Sequence, residues 1–295
     1  MGKQSRQRAA ARNAAASKTK RPRRAEIPFV ERPFEGLPGE TDWVAMREIV
    51  PAATARVRTT AEYGSRDVTV ATMLPELWPA LHREDGELFV GLQTAAKSGD
   101  ASRDVAAALI AALDLEAGEP LTQLGLLDPG PRLQDVLDLD VPFEPVLYDD
   151  FAFWISSTEE RTAELESALE ESSAGIVPTA AVEGVTSAYW CRMGREFLRW
   201  ARPEAQEDVL DAIARLHARR ESALDEGSRF VGAFRTSGIL VPVWELAPGT
   251  EADELAGPCA DLEKRLVAAL AETEPLDAEA RRARAGIVSR QVTLR

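Results

Sequence analysis

The chain has 295 residues, of which 45% are hydrophobic, and carries a formal net charge of −14 at pH 7. A chain of this length and composition can bury a substantial core in one large domain or two small ones, which excludes global disorder. No apolar run reaches the roughly 18 residues that cross a bilayer, and no apolar signal core follows the basic opening. We therefore expect a cytoplasmic protein without membrane contact.

Charge is distributed unevenly along the sequence. Residues 1–24 contain nine basic residues and no acid; removing these nine from the 35 Lys and Arg leaves 26 against 49 Asp and Glu, so residues 25–295 carry about −23. An acidic body repels nucleic acid, whereas a detached basic arm can reach phosphates. We expect a disordered tail that binds a polyanion, with a tail that only aids solubility as the alternative. The candidate nucleic-acid-binding residues are Lys3, Arg6, Arg8, Arg12, Lys18, Lys20, Arg21, Arg23 and Arg24.

The chain after the tail is rich in proline and aromatic residues over residues 27–40. Each proline removes a backbone donor and favours extended backbone before it, so this segment is predicted to lie extended along the body. Phe29 and Phe34 are its expected anchors. A short helix follows, with Thr41 or Asp42 as its N-cap, and ends before the next proline.

Three runs rich in β-branched residues predict strands, and the glycine-containing interruptions between them predict antiparallel connections. A change to helical spacing follows, with Asp100 or Ser102 at the start of the helix and Gly118 at its end. These elements form a predicted β-β-β-α unit. The three strand-like runs are residues 53–60, 67–74 and 87–94.

The middle of the chain begins with an acidic, proline-containing loop over residues 121–155. Three helices are then predicted. The first starts at a capping box formed by Ser157 and Glu160, the second spans residues 186–200, and the third begins at Pro203.

A hairpin is predicted where RFVGAFR and ILVPVWEL flank a turn with Gly238, and Pro242 favours an edge strand. The next helix aligns three leucines on one face. A short basic helix ending at Gly286 and a final strand complete the chain. The aligned leucines are Leu262, Leu266 and Leu270.

The predicted helix over 186–200 is the most informative interior stretch. Helical spacing places a row of large apolar side chains beside a row of arginines. Such stripes can stack bases and contact phosphates, and a core-facing stripe with a solvated edge is the alternative. The two rows are Tyr189, Met193, Phe197 and Trp200, with Arg192, Arg195 and Arg199.

Nucleophilic and acid–base chemistry have two candidate positions. Cys191 with a lowered thiol pKa and His217 form a conceivable dyad, with an inert buried cysteine as the alternative. Asp149 and Asp150 are an acid–base pair or a cap for an aromatic strand, FAFWI, after them. Zinc spacings, calcium loops and phosphate-binding glycine loops do not occur in the sequence, so we predict no metal and no cofactor.

A second basic patch lies near the C-terminus. It either joins the tail in binding a polyanion or pairs with surplus acids of the body, and internal pairing is the expectation. The patch consists of Arg281, Arg282, Arg284, Arg290 and Arg295.

The stretches PRRAEIPFVERPFEGLPGETDWVAMREIVPAATA, GLQTAAKSGDASRDVAAALIAAL, GILVPVWEL and RARAGIVSRQVTLR are the most distinctive of the chain. They resemble a family of actinobacterial proteins defined only as a domain of unknown function. The resemblance covers about residues 22–295. It implies a cytoplasmic protein of actinobacterial origin and carries over no catalytic residue.

Together these patterns predict an α+β fold of two mixed sheet-and-helix lobes around a helical middle. The leading functional prediction is a non-enzymatic accessory protein that binds RNA or the ribosome through its tail and a protein partner through its acidic body. The alternatives are a small-molecule enzyme with an interlobe pocket and an adaptor whose tail only aids solubility. The predicted parts are a disordered basic tail (1–24), an N-terminal lobe (25–120), an acidic loop and helical segment (121–228) and a C-terminal lobe (229–295).

Overall fold

The structure, a computed structural model, describes residues 27–95, 97–125, 129–156, 160–289 and 292–293. The predicted tail with its nine basic residues lies outside these ranges, and so do Ser157, Arg290 and Arg295. Within them the chain forms seven helices and two six-stranded sheets, which confirms the α+β class. No helix in the described part of the chain is long and apolar enough to cross a membrane.

The first sheet comes from the N-terminal half of the chain. Its strands are β1 (Ala53–Arg58), β2 (Asp67–Ala71), β3 (Ala80–His82), β4 (Leu88–Gly91), β5 (Pro120–Leu121) and β6 (Val146–Leu147). They lie in the order β5-β3-β4-β2-β1-β6, and only the β2–β4 pair is parallel. The antiparallel connection predicted between the last two runs is therefore wrong, because β3 reverses the chain before β4 and pairs with the outer side of that strand.

Four helices accompany this sheet: α1 (Glu40–Glu48), α2 (Ala101–Ala112), α3 (Leu133–Val136) and α4 (Ala163–Ser173). The predicted cap of α2 is confirmed, because the Asp100 carboxylate accepts a hydrogen bond from the Ser102 amide. Its predicted end at Gly118 is wrong, since the helix stops at Leu113. The N-cap of α4 is Thr162, whose hydroxyl accepts a bond from the Leu165 amide.

Helix α1 has no side-chain cap, so the prediction for Thr41 or Asp42 is wrong. The helix follows Gly39, whose φ of +65° suits glycine. Thr41 and Asp42 instead lie in the first turn, and their polar groups are bonded to the second half of the chain.

The N-terminal strap, residues 27–35, lies against the body. Residues 31–39 form bends and turns, in which the Leu37 amide donates to the Phe34 carbonyl at 3.1 Å, so the extended conformation predicted over residues 27–40 is wrong from residue 31 onward. The Val30 amide donates to the Gly99 carbonyl at 2.9 Å, and the Arg132 guanidinium donates to the Pro33 carbonyl at 2.7 Å. Phe34 is fully buried, which confirms it as an anchor. Phe29 is 76% exposed, so its predicted anchoring role is wrong.

The second sheet comes from the C-terminal half of the chain. Its strands are β7 (Thr179–Ala181), β8 (Ala188–Arg192), β9 (Glu196–Trp200), β10 (Arg229–Thr236), β11 (Ile239–Glu245) and β12 (Val292–Thr293). Their order is β12-β10-β11-β9-β8-β7, with β10 and β12 parallel. Three helices pack with this sheet: α5 (Gln206–Ala218), α6 (Ala256–Leu270) and α7 (Ala278–Ser289).

Residues 186–200, predicted as a helix, form the β8–β9 hairpin. Gly194, with a φ of +74°, lies in its turn, where the Met193 amide donates to the Arg195 carbonyl at 2.8 Å. The first four residues of β8 are all buried because the strand is covered on both faces. A strand buried on both faces lacks polar alternation, so its apolar run also fits helical spacing.

The predicted β10–β11 hairpin with Gly238 in its turn is confirmed. The edge position predicted from Pro242 is wrong, because β11 lies between β10 and β9. The pairing of β11 with the β9 segment is interrupted between Leu240 and Val243. Pro242 is tolerated there because this position has no partner in that segment for a backbone N–H, the group that proline lacks.

The helices of the second lobe follow the predicted faces. Leu262 and Leu266 of α6 are each 1% exposed. The third predicted helix of the middle segment is α5, which starts at Gln206 rather than at Pro203. Helix α7 continues through Gly286 instead of ending there, because the next residue, Ile287, is fully buried in the core of this lobe.

The two lobes share one apolar core. It lies between the first sheet, α1 and α2, and four residues from the second half of the chain belong to it: Tyr189, Ala201, Ile239 and Val241. The opposite face of the second sheet packs on α5, α6 and α7. The second sheet is therefore covered on both faces, and its inner face closes the core of the first lobe.

Candidate functional sites

The lobes are joined by a buried polar cluster, the interlobe clasp, which consists of Thr41, Asp42, Ser187 and Tyr189. Ser187 and Tyr189 donate their hydroxyl protons to Asp42 Oδ1 at 2.5 and 2.8 Å, and Thr41 donates to the Ser187 oxygen at 2.6 Å. Burial raises the pKa of Asp42 and that of Tyr189. Ser187 has a φ of +54°, a strained value that a non-glycine residue holds only where its surroundings fix it.

Arg32 of the strap also connects the two lobes. Its guanidinium donates to Glu40 of α1 at 2.5 and 2.9 Å and to the Pro203 carbonyl at 2.9 Å. The hairpin turn of the second sheet approaches it closely, since a Cβ on Gly238 would lie 2.6 Å from Arg32 Cβ. The strap is therefore fixed to both lobes at one residue.

A cleft of about 820 Å³ opens at this junction. Both lobes and the strap line it, and its charged groups include Arg47, Glu48, Lys97, Asp104 and Arg235. Burial raises the pKa of Glu48, against the opposing effect of Arg47 and Lys97. Burial also raises the pKa of Asp104, although this carboxylate accepts from the Ser98 amide at 3.0 Å.

The rim of the cleft has strained backbone. Glu76 and Leu77 are consecutive residues with φ of +51° and +59°. Leu77 is 39% exposed at the cleft edge, where Phe29 of the strap also lies. Residues held in this region store strain of order 1–3 kcal/mol each, and such strain is concentrated at binding and active sites.

A second concavity, the sheet groove, lies on the outer face of the first sheet and measures about 1260 Å³. Arg56 and Arg161 line it, and neither has an ion pair or hydrogen bond among the described residues. Tyr148 lies half-buried in the groove, and its hydroxyl is 3.2 Å from Thr54 Oγ1. Glu144 is the exposed acid of this lining.

Most other arginines of the described residues are ion-paired within the body. Arg202, for instance, is 4% exposed and bonds both Glu204 and Glu263 at 2.5 Å. Paired guanidinium groups are poor phosphate ligands, because a phosphate has to replace an existing carboxylate partner. The ion-paired arginines are Arg32, Arg47, Arg58, Arg83, Arg103, Arg132, Arg192, Arg195, Arg202, Arg215, Arg219, Arg229, Arg235 and Arg284.

The stripe of large apolar side chains predicted over 186–200 does not form. Tyr189 joins the shared core, whereas Trp200 packs in the core of the second lobe on the other face of the sheet. Met193 is 50% exposed in the hairpin turn, and Phe197 belongs to β9. The base-stacking interpretation of this stripe is therefore wrong.

The arginine row of the same segment is also divided. Arg192 pairs with Glu196 at 3.0 Å, and Arg195 pairs with Glu245. Arg199 lies against Cys191, and two of its nitrogens, Nε and Nη2, are buried without a hydrogen bond. These side chains hold the hairpin to its neighbours and do not form one basic surface.

Cys191 is an inert, fully buried thiol. Burial raises its pKa, so the thiolate that a nucleophile requires is disfavoured. His217 lies on the other face of the sheet, with Nδ1 2.9 Å from Ser222 Oγ and its ring against Phe230. The Cys191–His217 dyad is therefore excluded by geometry.

The aromatic segment after Asp150 is the 3₁₀ turn Ala152–Trp154, so the strand predicted there, and a cap for it, are wrong. The N-cap of this turn is Phe151, and the Asp150 carboxylate makes a local contact, accepting from the Ala152 amide at 2.8 Å. Asp149, its neighbour, is exposed. Across the described ranges, no three His, Cys, Asp or Glu side chains form a group that can hold a metal ion.

The C-terminal basic patch is partly neutralised from within. Arg284 donates to Asp211 at 2.6 Å and also pairs with Glu207. Arg281 donates to the Leu276 carbonyl. For Arg284, internal pairing is confirmed.

A pocket between the lobes is one alternative from the sequence, but the lining residues of the cleft and of the sheet groove are not predictable from it. Both are assembled from segments far apart in the chain, and none of their side chains forms a recognisable spacing. One sequence feature could have indicated the groove. Arg56 is a cation on a predicted strand, at a position that faces away from the apolar residues on either side of it.

These features define a class of protein: a two-lobed α+β protein whose lobes share a core, a buried polar clasp and a cleft at their junction. Residues 33–295 match the family of unknown function DUF5926. The chain belongs to this family, which confirms the resemblance seen in the sequence. No curated protein and no solved structure matches the chain.

Proposed function

We propose that this protein is a non-enzymatic accessory protein that binds RNA or the ribosome through residues 1–24 and a protein partner through its acidic body. The observation that carries the proposal is the separation of charge. Residues 1–24 hold nine basic residues and no acid, whereas most described arginines of the body are already ion-paired. We place this activity in the cytoplasm of an actinobacterium, in line with the Arg and Ala bias of the sequence.

The position of the strap supports a tethering role. Because Arg32 is bonded to both lobes, the chain preceding it is attached to a fixed point of the body. A random coil of 24 residues has an r.m.s. end-to-end distance of roughly 25–30 Å. We propose that residues 1–24 contact phosphates over such a distance while the acidic body stays away from them.

The test compares full-length protein with two tail variants. In the first, all nine Lys and Arg of residues 1–24 are replaced by Gln; in the second, residues 2–24 are shuffled, which keeps their charge. Electrostatic binding predicts that the shuffled tail retains RNA affinity and that the neutral tail loses it. Each phosphate contact adds about 0.7–0.9 to the salt slope, so the slope falls with the charge.

Two measurements check this outcome: RNA binding at several salt concentrations and sedimentation of lysates with and without ribonuclease. Ribonuclease-sensitive migration with ribosomes, lost in the neutral-tail variant, supports the proposal. Equal RNA affinity and equal salt slope for all three proteins contradict it. A stoichiometric protein partner that survives nuclease and 1 M salt favours the adaptor alternative.

An enzyme that uses the interlobe cleft is a second candidate, favoured by one observation. Glu48 and Asp104 line the cleft, and burial raises the pKa of both carboxyl groups, which is the direction that a general acid requires. Cys191 and Asp149 do not line it. Saturable binding of a small molecule that Glu48→Gln abolishes supports this candidate, provided that Glu35→Gln, at an exposed strap carboxylate outside the cleft lining, leaves it unchanged. The absence of such binding argues against it.

A further inference from the structure

We propose that the sheet groove is a nucleotide site, in which Arg56 and Arg161 bind the phosphate and the Tyr148 ring stacks on the base. The proposal rests on the proposed RNA-binding function and adds a second, structured contact to it. Its ligand is a nucleotide, whether free or as one unit of an RNA strand.

The first observation is the pairing state of the arginines. In a body where acids exceed bases, most described guanidinium groups hold a carboxylate. Arg56 projects from the outer face of β1, and Arg161 precedes the cap of α4, so the two come from different elements to one groove. Unpaired guanidinium groups that converge on a concavity are suited to a planar or tetrahedral anion.

The second observation is the ring beside them. Tyr148 is held by its hydroxyl contact to Thr54 and packs on Phe153 at a centroid distance of 5.1 Å. Phe153 is 9% exposed and serves as support. Phe89 is unsuited to stacking, because the Arg83 guanidinium already lies over its ring at 4.9 Å. Tyr148 is therefore the ring available to a base.

The third observation is the balance of charge within the groove. Arg83 pairs with Glu87 at 2.5 Å and with Asp85 at 2.7 Å, so this cluster adds no positive charge to the groove. Among the described lining residues, Arg56 and Arg161 face one further acid, Glu144, and Asp67 beside the groove also interacts with the Arg56 charge. The two unpaired guanidinium groups are therefore the cations that can bind a phosphate, whereas the Thr54 and Thr69 hydroxyls already contact Tyr148 and Glu87.

The test uses full-length protein and uridine monophosphate as the free-nucleotide probe, with a uridine tetranucleotide as the RNA probe. Binding is followed by NMR chemical shifts. Saturable binding below about 10 mM of either probe is expected. If the tetranucleotide binds at least tenfold more tightly than the monophosphate, the natural ligand is RNA; similar affinities identify the free nucleotide.

Matched variants locate the site. Arg56→Gln, Arg161→Gln and Tyr148→Leu are each expected to weaken binding about tenfold, whereas Tyr148→Phe retains the ring and most of the affinity. Glu144→Gln removes a repulsive charge and is expected to strengthen binding severalfold. Arg66→Gln is the control, because Arg66 is another exposed arginine without an ion pair among the described residues but lies outside the groove.

The outcomes separate this proposal from the tail proposal. The neutral-tail variant is expected to bind the monophosphate as the natural chain does, even where it has lost long RNA. Absence of saturable binding, or an equal loss in Arg66→Gln, overturns the groove site and leaves the tail result intact. Melting temperatures of all variants identify any that fail to fold. If a site variant fails to fold, the affinities of Tyr148→Phe and Arg66→Gln still test the site, because both are expected to bind nearly as the natural chain does.

Discussion

Asp42 is the residue on which the interlobe clasp depends. Its carboxylate accepts from two hydroxyl groups that lie about 145 positions later in the chain, so the cluster has no local signature in the sequence. The local pattern predicts a helix cap at Asp42 because aspartate is common there. A side-chain cap is unnecessary because the helix starts after Gly39. The Asp42 carboxylate instead accepts bonds from Ser187 and Tyr189, a long-range role that no local sequence spacing indicates.

The clasp predicts a pH dependence of stability. Burial raises the folded-state pKa of Asp42 above the roughly 3.9 of an unfolded chain. The unfolded state then binds fewer protons than the folded state between these two values, so this residue's contribution to the free energy of unfolding falls as pH rises through that window. Asp42→Asn lacks this titration.

Urea unfolding of the natural chain and of Asp42→Asn at pH values from 4 to 8 measures the effect. The stability of Asp42→Asn relative to the natural chain is expected to increase with pH. A constant difference across the range contradicts the raised pKa. Asp149→Asn, at an exposed carboxylate outside the clasp, is the control for the Asp-to-Asn substitution itself.

The β10–β11 hairpin is the element that joins the second sheet to the strap. Gly238 has a φ of +74°, and a Cβ added to it would lie 2.9 Å from the Cα of Arg32, so alanine is unfavourable there for two reasons. We expect Gly238→Ala to lower the free energy of unfolding by about 2–4 kcal/mol.

Gly249→Ala is the matched control for this substitution. Gly249 has a φ of +85° but no atom within 4 Å of an added Cβ, so only the backbone penalty of about 1 kcal/mol is expected. Urea unfolding of both variants gives the difference. Equal losses contradict a tight contact between the hairpin and the strap.

Elements with strong local signals are predictable, and elements fixed by long-range burial are not. Helix α2 has a capping aspartate and one apolar face, and the β10–β11 hairpin has Gly238 between two apolar runs, so both follow from local rules. The β8–β9 hairpin is covered on both faces, which removes the alternation that distinguishes a strand. The sheet groove is also not predictable from local sequence, because its side chains come from distant segments that meet only after folding.

At the scale of the whole molecule, the shared core predicts that the two lobes unfold together. Val241 is fully buried in the core of the first lobe although it belongs to β11 of the second sheet. Val241→Ala is expected to destabilise the chain by about 1–3 kcal/mol and to reduce hydrogen-exchange protection equally in both sheets. Loss of protection confined to the second sheet contradicts a single cooperative unit.

The shared core also has a consequence for synthesis. Ile239 and Val241 complete a core whose earlier members, such as Val136, are made about 100 residues sooner, an interval of roughly 5–20 s at ordinary translation rates. During that interval the inner face of the first sheet is exposed to solvent in the nascent chain. We therefore expect the growing polypeptide to be a chaperone client until β11 has emerged.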